Sequence, residues 1–312
     1  MNQNRLEGRV IKYSVVVPIY NEEKSIEELY EEILNVMGVL QEPYEIIFVN
    51  DGSIDQSGDV IGRLHDSDSR VKAIKFRRNH GKSAAYSDGF LAAQGNVVIT
   101  LDSDLQDDPN EIPKLLDALN SGYDLIVGWK ENRLHNEPSR KIFSWFFNKM
   151  VQFLFRVNLH DSNSGFRVMK REVARSLDLY GDHYRFIPEI AHSKGYRVKE
   201  IGVVHRRRKH GRSKYGSSRY WTGLLDILTI RFLSGFTYKP LHFFGTLSLF
   251  PLSIGVGLEV YVLIKKLSGG KFSSHVAAMI IGVLMLLVGI QLIATGLLGE
   301  MISRHDKKEV AK

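Results

Sequence analysis

Apolar positions along this chain fall into two regimes that meet near residue 235. In the first, short β-branched runs alternate with amphipathic stretches. Tyr13–Ile19 (YSVVVPI), Tyr44–Asn50 (YEIIFVN), Val71–Phe76, Val97–Leu101 and Asp124–Gly128 read as five buried strands. Between them, Ser25 stands where a helix cap belongs. Apolar positions follow at Ile26, Leu29, Ile33, Leu34, Met37 and Leu40, with acidic residues in the first turns. Ser83–Ala93 reads as a small-residue helix. Strands alternating with helices predict an α/β fold with a parallel, doubly wound sheet. The loops at the strands' C-terminal ends, residues 18–22, 50–55 and 102–109, are then expected to converge on one crevice.

The second regime is two uninterrupted apolar stretches, 241–264 and 276–298. Each exceeds the ~20 residues that a helix needs to cross a bilayer. They predict a transmembrane hairpin, and the chain divides into 1–215, a juxtamembrane helix at 216–238, and a hairpin with a short basic tail at 239–312. Residues 138–159 are aromatic-rich and basic, which suits either an interfacial amphipathic helix or a core helix. Tyr220, Trp221 and Tyr238 suit an interfacial aromatic belt. Gly282, Gly289 and Gly296 recur every seven residues and mark a face for close helix approach, within the hairpin or between subunits. Glu259 is expected to snorkel or to pair with a lysine. Basic residues occur at both ends of the hairpin, so their distribution orients it weakly. Met1–Ser14 holds no apolar run, so the N-terminal domain is expected to stay cytosolic.

Composition narrows the chemistry. A formal charge of +7 over 312 residues implies an anionic partner, whether nucleic acid, a membrane surface or a phosphorylated substrate. The absence of cysteine excludes disulfide scaffolds, thiolate metal sites and cysteine nucleophiles.

The densest chemical signal is Leu101-Asp102-Ser103-Asp104-Leu105-Gln106. Residues i and i+2 of an extended chain point the same way, so a buried strand ending in Asp-x-Asp presents two carboxylates at its C-terminal edge. Such a pair suits a hard divalent cation, Mg²⁺ or Mn²⁺, which in turn suits a diphosphate. A turn-capping role is the competing local reading. Asp51, in the turn Asp51-Gly52-Ser53, suits either hydrogen bonding to a ligand or an Asx turn. Arg206–Tyr215 is the densest basic run, by itself either a solvated cluster or an anion site. His205 and His210 lack a paired ligand at metal-motif spacing.

Four motifs occur in order: Val17-Pro18-Ile19-Tyr20-Asn21-Glu22, Val49-Asn50-Asp51-Gly52-Ser53 with Asp55, the Asp102-x-Asp104 run, and Ser164-Gly165-Phe166-Arg167. With the paired C-terminal spans, they resemble an inverting GT-A glycosyltransferase of family 2, in the polyprenyl-phosphate branch. That branch includes bactoprenol glucosyltransferases and dolichol-phosphate mannose synthases. The resemblance implies a GT-A (Rossmann-like) domain ahead of the hairpin. It implies that Pro18, Tyr20, Glu22, Asp51, Lys82 and Asp102 hold the nucleotide, and that Asp102 and Asp104 hold the metal. Asp161 becomes the candidate base or acceptor-orienting carboxylate, with Asp104 beside it in the catalytic set. Arg208, Ser213 and Lys214 become a phosphate-binding loop, and Arg140 and Lys141 weaker candidates for the lipid phosphate. Many relatives read Asp-x-Asp-Leu-Gln-Asp-Pro-Pro where this chain has Asp107-Asp108-Pro109.

The expected reaction is transfer of a hexose, first glucose from UDP-glucose, to undecaprenyl phosphate at the cytosolic face of the inner membrane. GDP-mannose and UDP-amino-sugars are the alternative donors. The expected partners are the donor, the lipid acceptor and the membrane, with no nucleic acid, a homo-oligomeric (tetrameric) assembly and a separate flippase. A processive polysaccharide synthase would show a Gln-x-x-Arg-Trp motif, which Arg219-Tyr220-Trp221 does not match. A non-catalytic adaptor would show a broken Asp-x-Asp.

Overall fold

The computed structural model describes residues 10–130, 159, 163–206, 209, 229, 240–269 and 275–310. The chain forms two compact units, Met1–Ile227 and Leu228–Lys312.

The first unit is built on β1 (Tyr13–Ile19), β2 (Tyr44–Asn50), β3 (Val71–Lys75), β4 (Val97–Thr100), β5 (Leu125–Lys130), β6 (Arg167–Lys170) and β7 (Val198–Val203). Its helices are α1 (Ile26–Leu40), α2 (Ser57–Ser67), α3 (Lys82–Ala92), α4 (Ile112–Asn120), α5 (Arg171–Ser176) and α6 (Ile187–Ser193). The sheet order is β3-β2-β1-β4-β6-β5-β7. β1 to β4 are mutually parallel, as the alternation of strands and helices implies. The sheet as a whole is mixed rather than parallel: β6 runs antiparallel to both β4 and β5. The Ser164-Gly165-Phe166 segment begins at the crevice end of β4, so the strand after it must run back along β4. β6 and β7 escape a pattern reading because RVMK is short and VKEIGV is half-exposed.

Burial follows the pattern. All seven residues of β1 are buried, and α1 turns Ile26, Leu29, Ile33 and Met37 into the core. Ser25 occupies the N-cap position of α1, but its hydroxyl donates to Glu22 O instead of accepting a helix N–H. Pro18 sits within a central strand, a place that normally demands a donor. Ile19 O accepts from Asp51 N on the β2 side, so Pro18 faces the β4 side. There the ladder has already ended at Val16↔Thr100, and no donor is needed. This divergence of β4 from β1 opens the crevice.

The second unit contains α7 (Pro240–Leu267) and α8 (Val276–Val310). Both helices are long and apolar enough to cross a membrane, α7 over its whole length and α8 over Val276–Ser303. They pack antiparallel. A Cβ at Gly289 would overlap Leu252, one at Gly296 would lie 3.1 Å from Leu241 and Phe244, and one at Gly282 would lie 2.5 Å from Glu259 Oε1. The seven-residue glycine face therefore packs within the hairpin. Glu259 turns Oε1 into this seam, where it has no hydrogen-bond partner among the described residues. The lysine pairing expected for Glu259 is not seen among them. Apart from Leu159 and Thr229, the segments 138–159 and 216–238 lie outside the described residues.

Candidate active site

The loops after β1 and β2 are sewn together by their motif residues. Asn21 N donates to Ser53 Oγ (3.0 Å), Ile54 N to Asn21 Oδ1 (2.9 Å), and Glu22 N to Ser57 Oγ (3.0 Å). Glu23 N donates to Asp55 Oδ2 (3.2 Å), and Gln56 N returns a bond to Glu23 Oε2 (3.0 Å). Much of the Pro-x-Tyr-Asn-Glu and Asn-Asp-Gly-Ser-x-Asp pattern thus builds the wall itself. Gly52 has φ +67°, and a Cβ there would lie 2.6 Å from Asn79 N, so the turn needs glycine twice over.

Asp51 is buried, 3% exposed. Its Oδ1 accepts from His80 N (2.7 Å) and its Oδ2 from Gly81 N (2.9 Å). Burial pushes its carboxyl above the ordinary range, while those two N–H groups pull against the rise. Asp51 therefore anchors the entry to α3, and each oxygen keeps a second lone pair for a ligand.

That anchor sets Lys82, the first residue of α3. Its Nζ lies 2.5 Å from Asp102 Oδ1 and over the rings of Tyr86 (5.7 Å) and Tyr184 (5.3 Å). Tyr86 is fully buried, and burial pushes its hydroxyl up to about 12, so it stays protonated beside the Asp102 carboxylate (3.5 Å). Tyr184 is fixed through its backbone N–H to Ser83 Oγ (2.9 Å) and its carbonyl, which accepts from Arg167 Nη2 (3.0 Å).

Asp102 and Asp104 follow β4, but in the turn beyond its last residue Thr100 and not in the extended chain that the spacing reading assumed. Asp104 Oδ1 accepts from Gln106 N (3.1 Å), and between them Leu105 is fully buried at φ +60°. A leucine in the left-handed region is uncommon and costs energy. Across the crevice, Thr100 Oγ1 donates to Gly165 O (2.7 Å), which presses Gly165 onto Asp102. A Cβ at Gly165 would overlap the Asp102 carboxylate, so the glycine keeps room at the ligand face. Oxygen-only donors, a half-exposed carboxylate pair and this glycine-lined space fit a hard cation that also takes phosphate oxygens. Among the described residues no third His, Asp or Glu joins them, so substrate and water would complete the shell.

The described site brings together Pro18, Tyr20, Glu22, Asp51, Lys82, Asp102 and Asp104 on one edge of the sheet. Asp161, Arg140, Lys141, Arg208, Ser213 and Lys214 lie outside the described residues. Tyr86 and Tyr184 belong to no motif read in the sequence, and Arg167, which ends the Ser164-Gly165-Phe166-Arg167 motif, was assigned no role there. The return of β6 and the turn at His183–Phe186 bring Arg167 and Tyr184 to the crevice. His205 contacts Gln106 and Asp107.

Residues 14–178 match the profile of glycosyl transferase family 2. The chain is 34% identical over 301 residues to a dodecaprenyl-phosphate galacturonate synthase of Rhizobium johnstonii, covering 94% of this chain and 88% of that one. It is 33% identical to an undecaprenyl-phosphate 4-deoxy-4-formamido-L-arabinose transferase of Aeromonas hydrophila subsp. hydrophila, covering 93% and 88%. Among solved structures, the glucosyl-3-phosphoglycerate synthase of Mycobacterium tuberculosis, crystallised with Mn²⁺ and UDP-glucose, superposes with a TM-score of 0.53 at 20% identity. That alignment covers 72% of this chain and 79% of the other, and establishes the GT-A fold. The chain belongs to glycosyl transferase family 2 and is a membrane glycosyltransferase of the polyprenyl-phosphate kind.

Proposed function

We propose that the protein transfers a sugar from a uridine-diphosphate donor to polyprenyl phosphate at the cytosolic face of the inner membrane, with inversion at the anomeric carbon. The observation that carries this reading is the Asp102–Asp104 pair at the end of β4, flanked by Lys82 and cleared by Gly165. Asp102 and Asp104 would hold Mg²⁺ or Mn²⁺, which when bound offsets charge on the leaving diphosphate. Lys82 supplies a second cation on the same side. Pro18, Tyr20, Glu22 and Asp51 wall the base and ribose.

An acceptor phosphate oxygen forms the new bond to the anomeric carbon while the bond to the β-phosphate oxygen breaks. A phosphate monoester has a second pKa near ~6, so it arrives largely dianionic and needs no strong base. Asp161 would then orient the acceptor, and Arg208, Ser213 and Lys214, with Arg140 and Lys141, would hold phosphate. The product is a lipid-phosphate-linked sugar that a separate flippase must carry across. A homo-oligomer, a tetramer, is the assembly we propose.

Glucose, with UDP-glucose as donor, is the first sugar proposed. The two curated relatives favour a second reading, since one is named for galacturonate and the other for a formamido-arabinose. Purified protein incubated with undecaprenyl phosphate, Mg²⁺ and radiolabelled UDP-glucose, UDP-galacturonate, UDP-4-formamido-arabinose or GDP-mannose decides among them. Label entering the organic phase from one donor, and lost with chelator, supports the reading and names the sugar. Label from GDP-mannose alone overturns the uridine assignment.

A further inference from the structure

The run Arg206–Tyr215 invites a uniform reading as an anion-binding stretch, yet its first residue is committed elsewhere. Arg206 Nη1 contacts both oxygens of Glu32 on α1 (2.7 and 2.8 Å), and Nη2 contacts Asp108 Oδ1 (2.6 Å). Its backbone N–H donates to Gln106 O (2.8 Å). One residue earlier, His205 forms an isolated antiparallel bridge with Asp107, and Gln106 Nε2 lies 3.3 Å from His205 Nε2. Asp107 is buried, and its Oδ2 accepts from the backbone N–H of Asp102 (3.3 Å).

These contacts form a continuous clasp from α1, through Arg206, to the loop that presents Asp102 and Asp104. That loop needs one. It holds four carboxylates, Asp102, Asp104, Asp107 and Asp108, within seven residues, and their mutual repulsion favours a more open loop. It also keeps Leu105 in the left-handed region, a conformation that persists only where the surroundings enforce it. Lys82 supplies a cation at one end of the loop and Arg206 at the other.

We propose that Arg206 is a positioning residue for the carboxylate loop, acting through Asp108 and the Gln106 carbonyl with Glu32 as its anchor. This rests on the reading that Asp102 and Asp104 take a divalent cation. A substrate-phosphate ligand would need its guanidinium directed at substrate, whereas two carboxylates already hold this one.

The test is Mn²⁺ titrated into the purified full-length protein in detergent with UDP present, the free ion counted by its EPR signal. Arg206→Gln raises the half-saturating Mn²⁺ concentration by about 10-fold, the usual scale for loss of a group that orients metal ligands. Glu32→Gln, which never touches the loop, shifts it in the same direction. Arg206→Lys restores part of the loss, because a single ammonium cannot fork between Glu32 and Asp108. At saturating Mn²⁺ the acceptor KM stays at its wild-type value. An unchanged Mn²⁺ titration in Arg206→Gln overturns the proposal, and a raised acceptor KM beside it makes Arg206 a phosphate ligand instead. If Arg206→Gln does not fold, Glu32→Gln and Asp108→Asn decide by the same titration. Absence of Mn²⁺ binding by the wild type removes the metal reading itself, and the clasp's role with it.

Discussion

Gly165 lies so close to Asp102 that a single added carbon would occupy the space of the Asp102 carboxylate. The carbonyl of Gly165 is held by Thr100, on the strand from which Asp102 emerges, so the two cannot separate cheaply. Gly165→Ala is therefore expected to turn the Asp102 side chain while leaving the sheet intact. Misplacing a reacting group by about 1 Å commonly costs 100-fold in rate, and a loss of about that size is expected here. Initial rates of sugar transfer, measured beside far-UV circular dichroism, check this. Wild-type rates in a folded Gly165→Ala protein would move the site away from Asp102.

Lys82 and Asp102 form an ion pair at the crevice, with both side chains about one-fifth to one-quarter exposed. Lys82→Met keeps a side chain of similar length but removes the charge that lies over the Tyr86 and Tyr184 rings. Loss of one preorganised group facing developing charge costs on the order of 100-fold, and kcat/KM for the nucleotide sugar is expected to fall by that much. Steady-state kinetics with varied donor read it out. Lys82→Arg should recover part of the loss, and an unaltered kcat/KM in Lys82→Met would leave Lys82 a structural counter-ion.

The parallel half of the sheet and both long C-terminal helices were legible because periodicity and run length express burial directly. Asp102 and Asp104 were legible as an Asp-x-Asp run directly after a buried strand, although they lie in the turn beyond Thr100 and not in the extended chain on which the i, i+2 argument rested. The antiparallel return of β6 was not, since four residues hold too little apolar pattern to reveal direction. Tyr86 and Tyr184 were equally hidden, because their shared environment comes from tertiary closure. Asp51 shows the converse: the residue stands out in the sequence, but its oxygens turn first to His80 and Gly81.

In the hairpin, Gly289 faces Leu252 and Gly257 faces nothing within 4 Å. Gly289→Leu is expected to force α7 and α8 apart at an overpacking cost of about 1–3 kcal/mol. Gly257→Leu should be close to neutral. Thermal aggregation of the two detergent-solubilised variants against wild type checks the contrast. Equal behaviour would place the tight face of α8 outside the hairpin.

Acid sensitivity follows from carboxylates held below their ordinary value of 3.8. For Asp108, burial alone would raise the pKa, but Asn110 and Arg206 outweigh it. For Asp124, burial is likewise outweighed, by Lys170 (2.6 Å) and the backbone N–H of Arg197 (2.8 Å). A group with a lowered folded pKa binds fewer protons folded than unfolded near that value. Its contribution is fully present above 3.8 and is lost as pH falls from there through the folded pKa. Asp51, raised mainly by burial, works in the opposite sense and makes a small stabilising contribution as it protonates. Among the described residues Asp55 and Asp68 are lowered as well, so four lowered carboxylates against the raised Asp51 give a net loss on acidification. The thermal midpoint of unfolding should therefore be level from neutrality to about pH 5 and fall below about pH 4. Asp124→Asn should lower the midpoint at neutral pH and shrink that acid fall. A fall of undiminished size in Asp124→Asn would show that other carboxylates carry the acid transition.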